Sequence, residues 1–352
     1  MISDLTRRKY EELVAYLSRR SSAGRWLVLT HDNPDPDSLA AAAALSKILR
    51  RSFKRRVTTA YGGIIGRVEN QEMVKVLRIR LSHLQHLNWR HYKHFALVDT
   101  QPRTGNNQMP DNLVPDLVFD HHPMRRATHE APFVDLRTDY GATATILAEY
   151  LLASDLEISK QNATALVYAI RAETQDFGRA YAPADKAVYD YLHPMADIRA
   201  LARIQSPGLP LSYYRTVHEG LKKLESVGTL VISHLGEVEQ PDIVPEIADF
   251  MLRLRGKTWS MCTGVFQDRL YLSIRTTNSR ADAGRLMRRL LGRRGKGGGH
   301  GMMAGGWIPL SKAADNGYET LQDSLTARLA KYLKKNPERL APLIAGPEDA
   351  PP

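Results

Sequence analysis

Short uninterrupted apolar runs alternate with segments of helical periodicity through the first half of the chain. Trp26-Leu-Val-Leu-Thr30 predicts a buried strand, and after a Pro-rich turn the pattern over 38–50 predicts a helix. The runs at 95–99 and 116–119 are equally short and apolar, as parallel strands covered on both faces tend to be, and helical periodicity returns over 68–81, 142–153 and 162–172. This succession predicts an α/β fold whose N-terminal domain is a doubly wound, mainly parallel sheet. Two prolines and a glycine break the pattern within 205–211 and mark a hinge. Beyond it, a helix over 212–227 precedes strands at 229–235, 258–266 and 269–275, mixed with helices at 244–254, 281–291 and 318–335. The expected organisation is a first domain over 1–204, a linker and connecting helix over 205–228, a smaller C-terminal α/β domain over 229–340 and a flexible tail over 341–352.

Composition agrees with two folded domains: 352 residues with 43% hydrophobic and 25% charged positions exclude wholesale disorder. Lys and Arg exceed Asp and Glu by 49 to 38, a formal charge of +11. That surplus suits an anionic partner such as nucleic acid, nucleotide or phosphate, and equally a solvated basic surface. The single cysteine, Cys262, cannot close an intrachain disulfide, and the N-terminal segment lacks the apolar stretch of a secretory signal, so a cytoplasmic location is expected. The longest mostly apolar stretch, 39–49, is about half the ~20 residues a membrane span requires, and no membrane partner is expected.

Acidic residues recur where the predicted strands end. In His31-Asp-Asn-Pro-Asp35-Pro-Asp37 the residues before proline favour extended geometry, which turns Asp35 and Asp37 to the same side with α-carbons about 6.5–7 Å apart. The plainer reading is that Asp35 to Ser38 caps the following helix. Asp99 closes the second apolar run, and Asp120-His121-His122 the third. Open α/β sheets bind ligands outside the carboxyl ends of their strands, so three strands would deliver these groups to one edge, the composition of a two-cation centre. A fourth station lies in Glu173-Thr-Gln-Asp176; spacing alone does not choose between Glu173 and Asp176.

With these motifs in order the chain resembles the DHH phosphoesterase superfamily, named for the triplet found here at 120–122. The resemblance extends to a fifth motif, Gly297-Gly-Gly-His300-Gly-Met-Met-Ala-Gly-Gly306, preceded by Leu272-Ser-Ile-Arg275, which resembles the DHH-associated C-terminal domain. It implies an active site in the cleft between the domains. One divalent cation would sit on His31, Asp35 and Asp99, and another on Asp37, Asp99, His121 and Glu173, with Asp99 bridging. The family usually has Asp at the fourth station, where this chain has Glu173. An oxygen-rich set with two imidazoles favours manganese over zinc, with magnesium and cobalt also suited. Four carboxylates would balance two divalent ions, and a water bridging them would become the attacking hydroxide. The resemblance further implies that Asp99, Asp120 and His122 form the catalytic group, with Asp120 orienting an imidazole and His122 contacting the scissile phosphate.

Successive glycines also let backbone N–H groups converge on an anion, although a glycine run is equally a flexible linker. The run follows a predicted helix instead of a strand and lacks a Gly-Lys-Ser/Thr ending, which excludes a dinucleotide fingerprint and a P-loop. Gly298, Gly299, His300 and Gly301, with Arg275 and Arg103, are the expected substrate contacts. The basic helix bearing Arg285, Arg288, Arg289, Arg293, Arg294 and Lys296 reads as a solvated face or as a rim tracking phosphates. The expected activity resembles that of nanoRNases, which degrade very short RNA and dephosphorylate 3′-phosphoadenosine 5′-phosphate, so short RNA or a nucleotide is the expected partner. A cyclic or linear dinucleotide phosphodiesterase is the nearest alternative, and a nucleic-acid-binding protein with a structural or inactive metal site represents another class. The oligomeric state stays open, a homodimer included.

Overall fold

The run around Trp26 becomes a strand because both of its faces find apolar cover. In the computed structural model, which describes residues 2–20, 23–178, 181–312 and 317–344, β1 (Arg25–Leu29) sends Trp26 and Val28 into one core and Leu27 and Leu29 into another. The chain divides into two units, Met1–Pro207 and Gly208–Pro352. In the first, β2 (Arg56–Tyr61), β3 (Ser82–His83), β4 (His94–Val98), β5 (Leu117–Asp120) and β6 (Phe133–Leu136) join β1 in an all-parallel sheet ordered β3-β2-β1-β4-β5-β6. Strand order reverses between β1 and β4, which pair from Trp26↔His94 to Leu29↔Leu97. That reversal opens a crevice at the strands' carboxyl ends.

The helices of this unit are α1 (Asp4–Ser18), α2 (Pro36–Arg51), α3 (Val68–Val76), α4 (Thr143–Ala153), α5 (Lys160–Glu173), α6 (Pro183–Leu192) and α7 (Ile198–Gln205). Alanine-rich α2 lies with α4 and α5 against the Trp26–Val28 face. The opposite face is covered by short 3-10 turns and loops carrying Leu84, Tyr92 and Met109. The winding is double in topology, with helices concentrated on one side. The helix expected over 68–81 ends at Val76, because Arg78 adopts a left-handed φ of 50° that terminates it. A buried ion network ties β6 to α4. Arg137, 2% exposed, donates to both oxygens of Asp135 (2.9 and 2.7 Å) and to Glu149 Oε2 (2.8 Å), which also accepts from Tyr140 Oη (3.1 Å).

The second unit opens with α8 (Leu211–Lys222) and β7 (Glu225–Val227), so the helix expected over 212–227 stops early and its last residues pair in a sheet. Then come β8 (Leu230–Glu237), α9 (Ile243–Leu252), β9 (Trp259–Phe266), β10 (Arg269–Thr276), α10 (Ala283–Leu291), β11 (Lys296–His300), β12 (Met303–Pro309), α11 (Gly317–Tyr332) and β13 (Ala341–Pro342). The sheet order is β11-β12-β10-β9-β8-β7-β13, with β8 and β9 parallel and the other pairs antiparallel. Alternation along β8 sends Leu230 and Ile232 toward α10 and α11, and Val231 and Leu235 toward α9. Pairing of β13 with β7 corrects the expectation of a flexible tail from 341; residues 345–352 lie outside the described ones. Among the described residues no helix is long and apolar enough to cross a membrane.

Replacing Arg137 by Met would leave Asp135 and Glu149 buried without their counter-charge. Urea unfolding of Arg137→Met should show a loss of about 3–5 kcal/mol; a loss below about 1 kcal/mol would assign the network no structural weight.

Candidate metal centre

At the end of β1 the chain turns through His31, and Asp35 caps α2 by accepting from Ser38 N at 3.0 Å. The capping reading of this segment therefore holds, and it does not exclude the metal one: His31 Nε2 lies 3.5 Å from Asp35 Oδ1 and 3.5 Å from Asp99 Oδ2. Asp37, in the first turn of α2 and 1% exposed, reaches the start of α4, whose own N-cap, Ala142, has no hydrogen-bonding side chain. Its two oxygens accept from Thr143 N (2.8 Å) and Ala144 N (2.6 Å) and so satisfy that helix end from another element.

Asp99 follows β4 directly in a left-handed conformation, φ 59°, and is 4% exposed. Its N–H donates to Phe119 O on the neighbouring strand (2.9 Å), and Thr143 Oγ1 donates to its Oδ1 (2.9 Å). At the last residue of β5, Asp120 Oδ1 accepts from His121 N (2.8 Å), His122 N (3.2 Å) and His122 Nδ1 (2.8 Å), while Gln101 Nε2 donates to Oδ2 (2.7 Å). His121 Nε2 stands 3.7 Å from Asp99 Oδ1 and 3.9 Å from Asp37 Oδ2. Among the described residues two donor sets emerge, each with ligand atoms within 4.8 Å of one another: His31, Asp35 and Asp99, and Asp99, His121 and His122. Asp99 belongs to both.

The first set coincides with the three residues expected for one cation. The second differs, since His122 stands with Asp99 and His121 where Asp37 and Glu173 were expected. The charge of Glu173 nevertheless acts on Asp37 and His122. Asp176, by contrast, is exposed and held by Arg171.

The electrostatics call for positive charge. Burial, then the Asp99, Asp35 and Glu173 carboxylates, push Asp37 well above the usual carboxylate range against the pull of the Ala144 N–H. Burial opposes charge on His31, yet Asp35 and Asp99 outweigh it and raise the imidazole well above its ordinary value. Burial likewise opposes charge on His122, but the Asp120 hydrogen bond and Asp99 lift it to about 9. His31 Nδ1 donates to Asp32 O (2.9 Å) and His121 Nδ1 to Tyr140 O (3.2 Å), so both rings turn Nε2 toward the carboxylates. Imidazoles fixed through one nitrogen and acidic groups crowded around one spot fit divalent cations.

The remaining expected contacts are placed differently. Arg103 forms a two-pronged pair with Glu130 (2.7 and 3.0 Å). Arg275 is 8% exposed and donates to Asp249 Oδ1 (2.7 Å), Ser273 Oγ (2.8 Å), Ile274 O (3.1 Å) and Ala304 O (3.3 Å), ties that hold α9 and β12 to β10. The glycine run, for which a flexible linker was the plainer reading, forms the β11–β12 hairpin at a sheet edge. Its glycines permit close packing: a side chain on Gly284 of α10 would meet Gly299 O at 1.9 Å, and one on Gly297 would meet Leu291. Gly298 faces open space and Gly301 turns the hairpin at φ 49°; the side chain of His300 lies outside the described residues. Arg285, Arg288 and Arg289 line the exposed side of α10. Sequence reasoning missed the Thr143 and Ala144 amides, Gln101 and the two carbonyl tethers, which belong to loops and helix ends without a residue-type signature.

Residues 25–170 match the DHH family, N-terminal domain, and residues 228–331 match the DHHA1 domain. An uncharacterized protein of Methanocaldococcus jannaschii is 34% identical over 286 residues, which is 81% of this chain; the chain spans 58% of that relative's length. The fold is similar to that of an exopolyphosphatase-related protein from Bacteroides fragilis, with a TM-score of 0.71 and 14% identity over 92% of this chain and 96% of the other. It is also similar to RecJ from Thermus thermophilus in complex with Mn2+, with a TM-score of 0.52 and 14% identity over 95% of this chain and 55% of the other.

A cation bound only by the folded chain raises its stability by about 2.7 kcal/mol at a hundredfold excess over Kd. Manganese should therefore raise Tm in the wild type and in Asp176→Asn, less in Glu173→Gln, and not in Asp99→Asn. An equal rise in all four proteins would refute the assignment of these donors.

Proposed function

Because the chain belongs to the DHH family, we propose that it is a metal-dependent phosphoesterase acting on short oligoribonucleotides or 3′-phosphoadenosine 5′-phosphate. The observation that carries this reading is one buried carboxylate, Asp99, shared by two donor sets at the reversal of strand order. His31, Asp35 and Asp99 would hold one cation, and Asp37, Asp99 and His121, with Glu173 completing the charge, a second. Manganese is the proposed metal, favoured by the mixture of carboxylate and imidazole donors. When bound, the cations supply Lewis acidity, polarising a phosphoryl group and lowering the pKa of water.

The chain's own residues set up the reaction around them. Asp35, Asp37, Asp99 and Glu173 bring four negative charges, which two divalent cations balance, so that an anionic ester is not repelled. Asp120 fixes the His122 ring through Nδ1, and Gln101 fixes Asp120, which restricts His122 to one orientation for contact with the scissile phosphate. In the second unit, the edge strand β11 presents Gly298 and Gly299, and with His300 and Gly301 it is the proposed substrate contact. An edge strand has main-chain N–H groups on its outer side, which suit an anion. In this reading Arg275 supports the hairpin and Arg103 braces the loop beside Asp99.

The test is hydrolysis by the purified chain with manganese across short RNA, short DNA, 3′-phosphoadenosine 5′-phosphate, cyclic dinucleotides and pyrophosphate. Turnover is expected on short RNA or on 3′-phosphoadenosine 5′-phosphate, with a loss on the order of 10²–10³-fold or more in Asp99→Asn. Binding of these anions without turnover in any divalent metal would replace the enzyme reading with that of a nucleic-acid-binding protein.

A further inference from the structure

The last turns of α2, the segment after α3 and the start of α5 line an open cavity in the first unit, of about 670 Å³. Lys47, Arg50, Arg51, Arg78 and Arg80 line it and, among the described residues, no carboxylate does. Among those residues none of the five forms an ion pair. Lys47 Nζ donates to Glu157 O (2.5 Å) and Asn162 Oδ1 (2.9 Å), and Arg50 Nη2 donates to Val57 O (2.7 Å). Burial and the charge of Arg80 push Arg50 below its ordinary range. Lys47 is likewise lowered, by burial and by Arg51, against the opposing pull of Glu157. Five cations, four of them on exposed arginines, are thus gathered around one concavity, and a polyanion could bridge them.

We propose that this cavity binds a polyphosphate chain. Its volume falls in the range of small-molecule sites. Ser46 and Thr59, whose hydroxyls meet at 2.7 Å, are buried in its lining and suit phosphate oxygens. Leu77 and Ile79 add an apolar wall. The phosphates come from a nucleoside triphosphate, whose base would rest on that wall, or from inorganic polyphosphate. Lys47 is ten residues beyond Asp37 on the same helix (47 − 37), about 15 Å along its axis, so this site is separate from the metal centre and stands independently of the function proposed for it.

Calorimetric titration of the full-length, metal-free protein with ATP and with inorganic tripolyphosphate tests the assignment. At least one of them should bind, with unchanged affinity in Asp99→Asn and an affinity at least about tenfold weaker in Arg50→Ser/Arg80→Ser. Arg50→Lys/Arg80→Lys should retain binding. Tighter binding of ATP assigns a nucleotide, and equal or tighter binding of tripolyphosphate assigns the inorganic chain. If the first pair of serine variants fails to fold, Arg51→Ser/Arg78→Ser makes the same test at the other two arginines of the lining, which like Arg50 and Arg80 are exposed. No heat with either anion, or wild-type affinity in a folded serine pair, would overturn the proposal.

Discussion

Asp99 is a charged residue in a left-handed backbone conformation, buried among other carboxylates, and the remainder of the centre is built so that it stays there. A non-glycine residue with φ near 60° costs on the order of 1–2 kcal/mol, and burying its charge costs more unless it is paired. The Asp99 N–H continues the sheet to Phe119 O, and Thr143 donates to its side chain, which offsets part of that cost. The rest falls to whatever positive charge the site attracts. His31 on one side and His121 on the other, each tethered by Nδ1 to a carbonyl, present the nitrogens that a cation shared with Asp99 would use.

This arrangement explains why distant parts of the first unit matter to the centre. Asp37 completes the N-terminus of α4, so the position of that helix sets the spacing between Asp37 and Asp99. The same helix is anchored further along, where Glu149 receives Arg137. A buried ion network adds little net stability by itself, but removing one member is costly, which makes it a device for fixing position. In the second unit, glycines at 284, 297 and 306 bring α10 close onto the β11–β12 hairpin.

The α/β character of the first unit was legible because its central strands are unbroken apolar runs that end in acids, a pattern set by burial on both faces. β2 escaped notice because Arg56-Val-Thr-Thr-Ala-Tyr61 is half polar and only partly buried. β6 escaped because Asp135 is interior and neutralised by Arg137, a pairing that no local pattern reveals. The gathering of His31, Asp35 and Asp99 could be anticipated from strand ends, since topology brings those ends to one edge. The choice between Glu173 and Asp176 could not, because it depends on how the chain leaves α5: Asp176 is drawn aside by Arg171 while the charge of Glu173 reaches Asp37 and His122. The glycine run was legible as special, but its hairpin form follows from pairing with a distant strand, β10.

The claim underlying this account is that two cations share the Asp99 carboxylate. Anomalous X-ray diffraction from crystals grown with manganese, recorded at the manganese edge, tests it most directly. The account predicts two anomalous peaks flanking Asp99, one beside His31 and Asp35 and the other beside His121. A single peak, or peaks that leave Asp99 without a metal contact, would contradict it.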